Sequence, residues 1–335
     1  MIDHSHYDDT VGINVLKEAR TNKNIRLGLC CINNRLRHPE KPAGATKKPE
    51  PIFCSRGCIR DTFTVERAKE QAVQNIKDIL PLVEWNQTHG INHLRLSSDM
   101  FPHFTDPEVE SYSIDFALPY LQKAGELVKT YNHRITMHPG QFNQIGTPSR
   151  DVFEKTVHDL DHHASILDGM GMDESAILCI HGGGVYGDKE NTMRRWVDQF
   201  DELPSRVKRR IAIENCEKCY SVTDCLHLAE ECNIPVIYDT HHFYCYHSHY
   251  QREQPFVPIR ELLPQVIETW GGRRPLFHIS EQKQGKPVGT HSDMIENIPG
   301  HLLEIPYVYH TSIDIEVEAK SKETAILYLM DKYKL

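Results

Sequence analysis

Eight side chains able to bind a metal ion punctuate this sequence: His138, His181, Glu214, Asp239, His242, His278, His291 and Glu318, with His241 as a ninth candidate. Most close a short apolar run. The runs are Arg134-Ile-Thr-Met-His138, Ala176-Ile-Leu-Cys-Ile-His181, Ile211-Ala-Ile-Glu214, Ile234-Pro-Val-Ile-Tyr-Asp239 and Leu276-Phe-His278. Mixed imidazole and carboxylate donors suit zinc or manganese rather than a soft, thiolate-bound metal. Glu214 ends an otherwise apolar run, where an unpaired carboxylate would cost several kcal/mol. A bridging position between two cations removes that cost. Clustered cations polarise a phosphate, lower the pKa of a bound water toward neutrality and stabilise a departing oxygen. Histidine is used 21 times, in keeping with metal binding, although His158, His162 and His163 read as surface residues.

These donors need elements that bring them together. Apolar runs predict strands near 25–31, 93–97, 134–138, 176–181, 211–215, 234–239, 275–280 and 311–318. Between them, amphipathic stretches predict helices over 64–89, 113–131, 151–170, 189–203, 221–232, 257–270, 291–302 and 321–333. Eight strand–helix units fit an α/β fold of the (β/α)8 TIM-barrel type, with the active site at the C-terminal ends of the strands. A doubly wound sheet is the alternative, but it would lay the donors out in a line. Asp239 and His242, three apart across a strand end, can both face the barrel mouth. Glu318 ends the last strand, which closes against the first. One domain over 25–335 is expected, with residues 1–24 as an N-terminal extension.

The connection after the first strand, 32–62, is proline-rich and aperiodic. From Arg35 to Arg60 it carries seven basic residues (Arg35, Arg37, Lys41, Lys47, Lys48, Arg56, Arg60) against two acidic ones, Glu40 and Glu50. It is expected at the pole that carries the donors, either as a functional loop or as a solvated insertion. The run Arg206-Val-Lys-Arg-Arg210 precedes a strand and belongs at the opposite pole. A net charge of −9 argues against coating nucleic acid through bulk charge. It leaves room for a local basic patch, and bound cations would add positive charge. No apolar run approaches the roughly 20 residues of a membrane span, and the N-terminus is polar, so a soluble intracellular chain acting as a monomer is expected. The ten cysteines do not read as a disulfide scaffold. Cys216 and Cys219, with Cys54 and Cys58, offer four ligands for a structural zinc as an alternative to ordinary core packing.

With these residues laid out, the chain from Ile25 onward closely resembles the UV-damage endonuclease family. The motifs that carry the resemblance are Ile25-Arg-Leu-Gly-Leu-Cys-Cys, Arg95-Leu-Ser-Ser-Asp-Met-Phe-Pro102, Met137-His-Pro-Gly-Gln-Phe142, Ile180-His-Gly-Gly-Gly184, Ile213-Glu-Asn215, Asp239-Thr-His-His242, His278-Ile-Ser280, His291-Ser-Asp293 and Glu318-Ala-Lys320. The resemblance implies a TIM barrel that nicks damaged double-stranded DNA immediately 5′ of ultraviolet photoproducts, leaving a 3′-hydroxyl. It implies two or three divalent ions, manganese first, with zinc or magnesium as alternatives. His138, His181 and Glu214 would hold one ion. Glu214 would bridge to a second held also by Asp239, His278 and Glu318, and His242 and His291 would hold a third. Glu214, Asp239, His278 and Glu318 would be the catalytic set. Gln141 and Phe142 match a glutamine–aromatic pair that probes the lesion, and Arg35, Lys47, Lys48, Arg56 and Arg60 would grip DNA. Leu276 stands where family members often carry a lysine, with Asp293 and Glu281 as nearby oxygen donors.

Three rivals remain open at this level. A sugar isomerase on the same barrel would need one or two metals and a deep polar pocket, and would have little use for a basic rim. A general apurinic endonuclease would prefer abasic DNA to photoproducts. A non-catalytic damage sensor would not need every donor in place.

Overall fold

A computed structural model describes residues 24–250 and 257–335. The expected extension over 1–24 lies outside the described residues, apart from Asn24. The apolar runs form eight strands: β1 Ile25–Cys30, β2 His93–Leu96, β3 Arg134–Met137, β4 Ile177–His181, β5 Ile211–Glu214, β6 Val236–Asp239, β7 Leu276–Ile279 and β8 Ile313–Val317. All are parallel, and they close in sequence order, with β1 paired to β8. The expected TIM barrel is therefore the fold. Among the described residues, the helices of nine residues or more are α1 Val65–Lys77, α2 Ile79–Thr88, α3 Leu118–Thr130, α4 Arg150–Gly169, α5 Lys189–Asp201, α6 Val222–Cys232, α7 Thr240–Tyr250, α8 Ile259–Glu268, α9 Gly300–Val308 and α10 Glu323–Tyr333, with single turns at Asn34–Arg37 and Ser205–Lys208.

Three helical expectations need correction. The stretch 64–89 is two helices, broken at Asp78. Pro81 lies in the first turn of α2, where it has no N–H to donate toward Lys77 and its ring crowds that carbonyl. The stretch 291–302 is mostly irregular, and α9 begins only at Gly300, after Pro299; a residue before proline is steered away from helical backbone. Helix α7 was not expected, because its His- and Tyr-rich sequence has no apolar stripe. It is started by Asp239, whose Oδ1 accepts from the His242 N–H at 2.7 Å.

Side chains alternate along each strand, so one set packs outward on the helices and the other fills the barrel. The interior is divided. Ile177, Cys179, Ala212, Ile237 and Leu276 form a buried apolar cluster with Trp270. The side built from β8, β1, β2 and β3 is polar. Near its base, Asp314 binds Arg26 at 2.6 and 2.8 Å, Arg134 at 3.0 Å and Arg274 at 3.3 Å. Above it, Glu316 lies 2.9 Å from His93 and accepts from Thr136. Gly28 makes this layer possible, since a Cβ there would meet the His93 ring at 2.8 Å. The paired charges fill the barrel where its apolar residues stop, directly beneath the pole that holds the metal-capable side chains.

Candidate functional site

The register of the barrel sets the candidate donors side by side. His181 pairs with Glu214 across β4 and β5, Asp239 with His278 across β6 and β7, and His278 with Glu316 across β7 and β8. His138 follows the last residue of β3 and Glu318 the last residue of β8. Glu214 is the centre. Its Oε2 lies 3.0 Å from His138 Nε2 and 3.6 Å from His181 Nε2, and its Oε1 lies 3.1 Å from His278 Nδ1 and 3.2 Å from His242 Nδ1. A single buried carboxylate is thus ringed by four imidazoles from four different strand ends. Burial alone would raise its pKa, but His278, His181, His138 and His242 outweigh it and hold the group well below the usual range.

Asp239 is fully buried. Burial pushes its pKa up, with the charges of Glu214 and Glu318 adding to the effect. Its Oδ1 caps α7, but its Oδ2 has no hydrogen-bond partner among the described residues. A buried carboxylate oxygen without a donor is costly. Among the described residues, four three-donor groups have all ligating atoms within 4.8 Å of one another: Glu214–Asp239–His278, His181–Glu214–His242, His138–Cys179–Glu214 and Cys30–Glu316–Glu318. The orphaned oxygen of Asp239 and this mixture of nitrogen and oxygen donors fit divalent cations.

Glu318 is tied to this centre and to the layer beneath it. Its Oε1 lies 3.7 Å from His278 Nδ1, its Oε2 lies 3.6 Å from His291 Nδ1, and it is paired with Arg95. His291 joins none of the three-donor groups. His241 is buried, and burial pushes its pKa down to about 4, with His242 and His291 adding to the effect. It faces the His291 ring at 5.7 Å and also joins no such group. Leu276 is fully buried in the apolar half of the barrel. The two oxygen donors expected near it are engaged elsewhere: Asp293 binds Lys283 at 2.8 Å, and Glu281 accepts from the N–H groups of Glu296 and Asn297.

Several contributors were not visible from residue types. Glu316 lies 3.2 Å from His278 Nε2 and 3.2 Å from Arg95. The alternation Ile313-Asp-Ile-Glu-Val317 placed both acids on one face, but nothing in it named their partners. Cys179 donates to Glu214 Oε2 at 2.9 Å, and burial followed by the Glu214 charge keeps it a protonated thiol. His162 and His163 are buried rather than surface residues, and His162 stacks on Phe104 with ring centroids 3.6 Å apart. No group of metal-capable side chains joins Cys54 and Cys58 to Cys216 and Cys219 among the described residues. Cys216 instead receives the N–H groups of Cys219 and Tyr220 at its sulfur.

The candidate DNA-binding residues divide in two. Gln141 and Phe142 are exposed in the loop after β3, with Phe142 63 % exposed. Beside Phe142 opens a cavity of about 630 Å³, lined also by Ser98, Phe104, Lys155 and His162. Lys47 and Lys48 are exposed, and Arg35 lies 3.9 Å from Glu323 at the start of α10. Arg56 is not a free cation: it pairs with Asp78 and donates to the Phe53 and Pro51 carbonyls. Arg60 is bound by Asp106 at 2.8 Å and by Glu108. Arg56 thus ties the 32–62 loop to the junction of α1 and α2, and Arg60, at the surface, meets the loop after β2.

A putative UV-damage endonuclease of Acanthamoeba polyphaga mimivirus is 35% identical over 319 residues, covering 92% of this chain and 91% of that protein. A UV-damage endonuclease of Schizosaccharomyces pombe is 34% identical, with coverage of 92% of this chain and 51% of that protein, so this chain spans about half its length. The crystal structure of SacUVDE superposes with a TM-score of 0.77 at 28% identity, over 92% of this chain and 98% of that one. The UV-endonuclease UvdE family model matches residues 25–335, and the chain belongs to that family.

Proposed function

We propose that this protein is a DNA-repair endonuclease that nicks damaged duplex immediately 5′ of ultraviolet photoproducts and leaves a 3′-hydroxyl. The observation that carries this reading is Glu214, buried among four imidazoles at the open pole, with an orphaned Asp239 oxygen beside it and an exposed Phe142 on the rim. His138, His181, Glu214, Asp239, His242, His278, His291 and Glu318 would hold two or three divalent ions, with Glu214 shared between sites. Manganese is the first choice and zinc or magnesium the alternatives. Such ions, when bound, supply Lewis-acid activation of the phosphate and of a water.

The chain's own residues do the rest. Glu214, Asp239 and Glu318 supply the negative charge that gathers cations in a buried place. Arg95 holds Glu318 in position from below. Gln141 and Phe142 enter the stack at the lesion, where weakened stacking makes extrusion cheap. The cavity beside Phe142 can receive what is displaced, between Phe104 and Lys155. Lys47 and Lys48 bind the phosphate backbone and position the duplex without reading it.

The test is incubation of ultraviolet-irradiated and untreated supercoiled plasmid with the protein, with and without manganese. Nicking confined to irradiated plasmid and dependent on the metal is expected. Equal nicking of both plasmids would make the protein a nuclease indifferent to damage, and in a third arm with depurinated plasmid, nicking that prefers abasic sites to photoproducts would replace this reading with a general apurinic endonuclease.

A further inference from the structure

The three glycines after β4 and a glutamine three residues beyond the probing position form one device. Gln144 Nε2 donates to the Gln141 carbonyl at 2.8 Å, while its Oε1 accepts from the Gly184 N–H at 2.6 Å and from the Tyr186 hydroxyl at 3.1 Å. One amide therefore ties the loop after β3 to the loop after β4. The glycines are shaped to it. A Cβ at Gly183 would meet Gln144 Oε1 at 2.6 Å, and one at Gly182 would meet the Tyr220 ring at 2.5 Å. Tyr186 has φ 47°, a left-handed conformation that a non-glycine residue keeps only when its surroundings enforce it. From the other side, the probing loop is fixed to α4: the Gln144 N–H donates to Thr156 Oγ1 at 2.9 Å and Asn143 donates to Asp159 at 2.8 Å. Phe142 rests on Gly140, where a Cβ would meet its ring at 2.6 Å.

We infer that Gln144, helped by Tyr186, is a positioning residue that sets how well this protein tells damaged duplex from intact duplex, by holding the backbone at Gln141, and through it the Phe142 wedge, rigid at the rim. This rests on the probing role proposed for those two residues. A wedge separates bases only if it does not yield first. A loop that must be ordered at the moment of binding spends that ordering against affinity. The clamp removes this cost in advance, because its bonds are already made between two loops that leave neighbouring strands. Gln144 itself lies behind the exposed tip, so its effect must pass through Phe142.

The experiment compares Phe142→Ala, Gln144→Ala, the double variant and Tyr186→Phe, all with the metal present. Each is scored by the ratio of kcat/KM on irradiated over intact duplex, and by hydrogen exchange of the amides in 140–146 and 182–187. Gln144→Ala is expected to lower the ratio by about tenfold, mainly through KM, and to speed exchange at Gly184. The double variant is expected to be no worse than Phe142→Ala, since residues acting through one another are not additive. Tyr186→Phe, which removes a single hydroxyl, gives a smaller loss in the same direction and carries the test if Gln144→Ala disturbs the fold. Additive losses, or an unchanged ratio in Gln144→Ala and Tyr186→Phe while Phe142→Ala loses preference, overturn the inference and leave the probing role standing. Full preference in Phe142→Ala removes the probing role, and the inference with it.

Discussion

Glu214 concentrates what a single side chain can do here. A carboxylate with two oxygens, each facing two imidazoles, can serve two cations at once. Glu214→Gln keeps the shape and removes the charge. It is expected to lower nicking by more than about 100-fold, beyond the 10–100-fold usual for partners one layer out, and to reduce bound metal at the same time. Metal content by elemental analysis, read beside nicking of irradiated plasmid, checks this. Wild-type rates with unchanged metal would remove Glu214 from the centre. Phe142 belongs to the same scale. Loss of its ring should cost roughly 1–3 kcal/mol of stacking per base, read as weaker preference for irradiated DNA.

At the scale of elements, the 32–62 loop separates two roles that composition merged. Its basic residues look alike in the sequence, but Arg56 and Arg60 are held by acids of the barrel whereas Lys47 and Lys48 face solvent. The lysines are therefore the expected phosphate-binding groups. Replacing both with Ala should flatten the dependence of duplex affinity on salt by up to about 0.9 for each phosphate that is no longer neutralised. Damaged and intact DNA should be affected alike. Arg56→Ala should leave the salt slope alone and lower stability by about 2 kcal/mol, less than the roughly 3–5 kcal/mol of a fully buried pair because Arg56 keeps some exposure. Binding titrations across salt and urea unfolding separate the two outcomes. A changed slope in Arg56→Ala would return that residue to the DNA-binding set.

At the scale of the molecule, the polar side of the barrel makes stability depend on pH. Asp314 is held at a pKa of about 2: burial opposes this, but Arg26 and Arg134 outweigh it. Its unfolded value is about 3.9, so its contribution of about 2–3 kcal/mol is complete above roughly pH 4 and is lost as pH falls toward 2. Asp314→Asn should cost about 3 kcal/mol at neutral pH, because it leaves buried Arg134 and the partly exposed Arg26 and Arg274 without their shared carboxylate. His133 and His301 act earlier. Burial pushes both down to about 3, so the folded state keeps them neutral where the unfolded chain, with a pKa of about 6.5, takes up protons. Stability should therefore fall as pH drops below about 6.5. The loss between pH 7 and pH 5 should be smaller in His301→Leu than in wild type by about 1–2 kcal/mol, read from urea midpoints. An equal loss in both would show that His301 does not stay neutral in the fold.

The barrel and most of its donors could be read from residues alone, because strand ends in a parallel barrel gather at one pole whatever the details of packing. Eight apolar runs, five of them closed by His, Asp or Glu, were enough to predict the fold and to single out Glu214 as the carboxylate at the end of an apolar strand. What lies between strands distant in sequence was not legible. Glu316 meets His93, Arg95 and His278 only because β8 closes on β1 and β7. Cys179 looked like core and donates to Glu214 because the barrel interior is shared by every strand. The basic loop was visible as charge, but whether a given arginine is free depends on acids at Asp78, Asp106 and Glu108, brought near by folding alone. Periodicity reports which face of an element is buried, and the chain carries that locally. Which charges meet inside the barrel is a relation between segments, and only tertiary structure decides it.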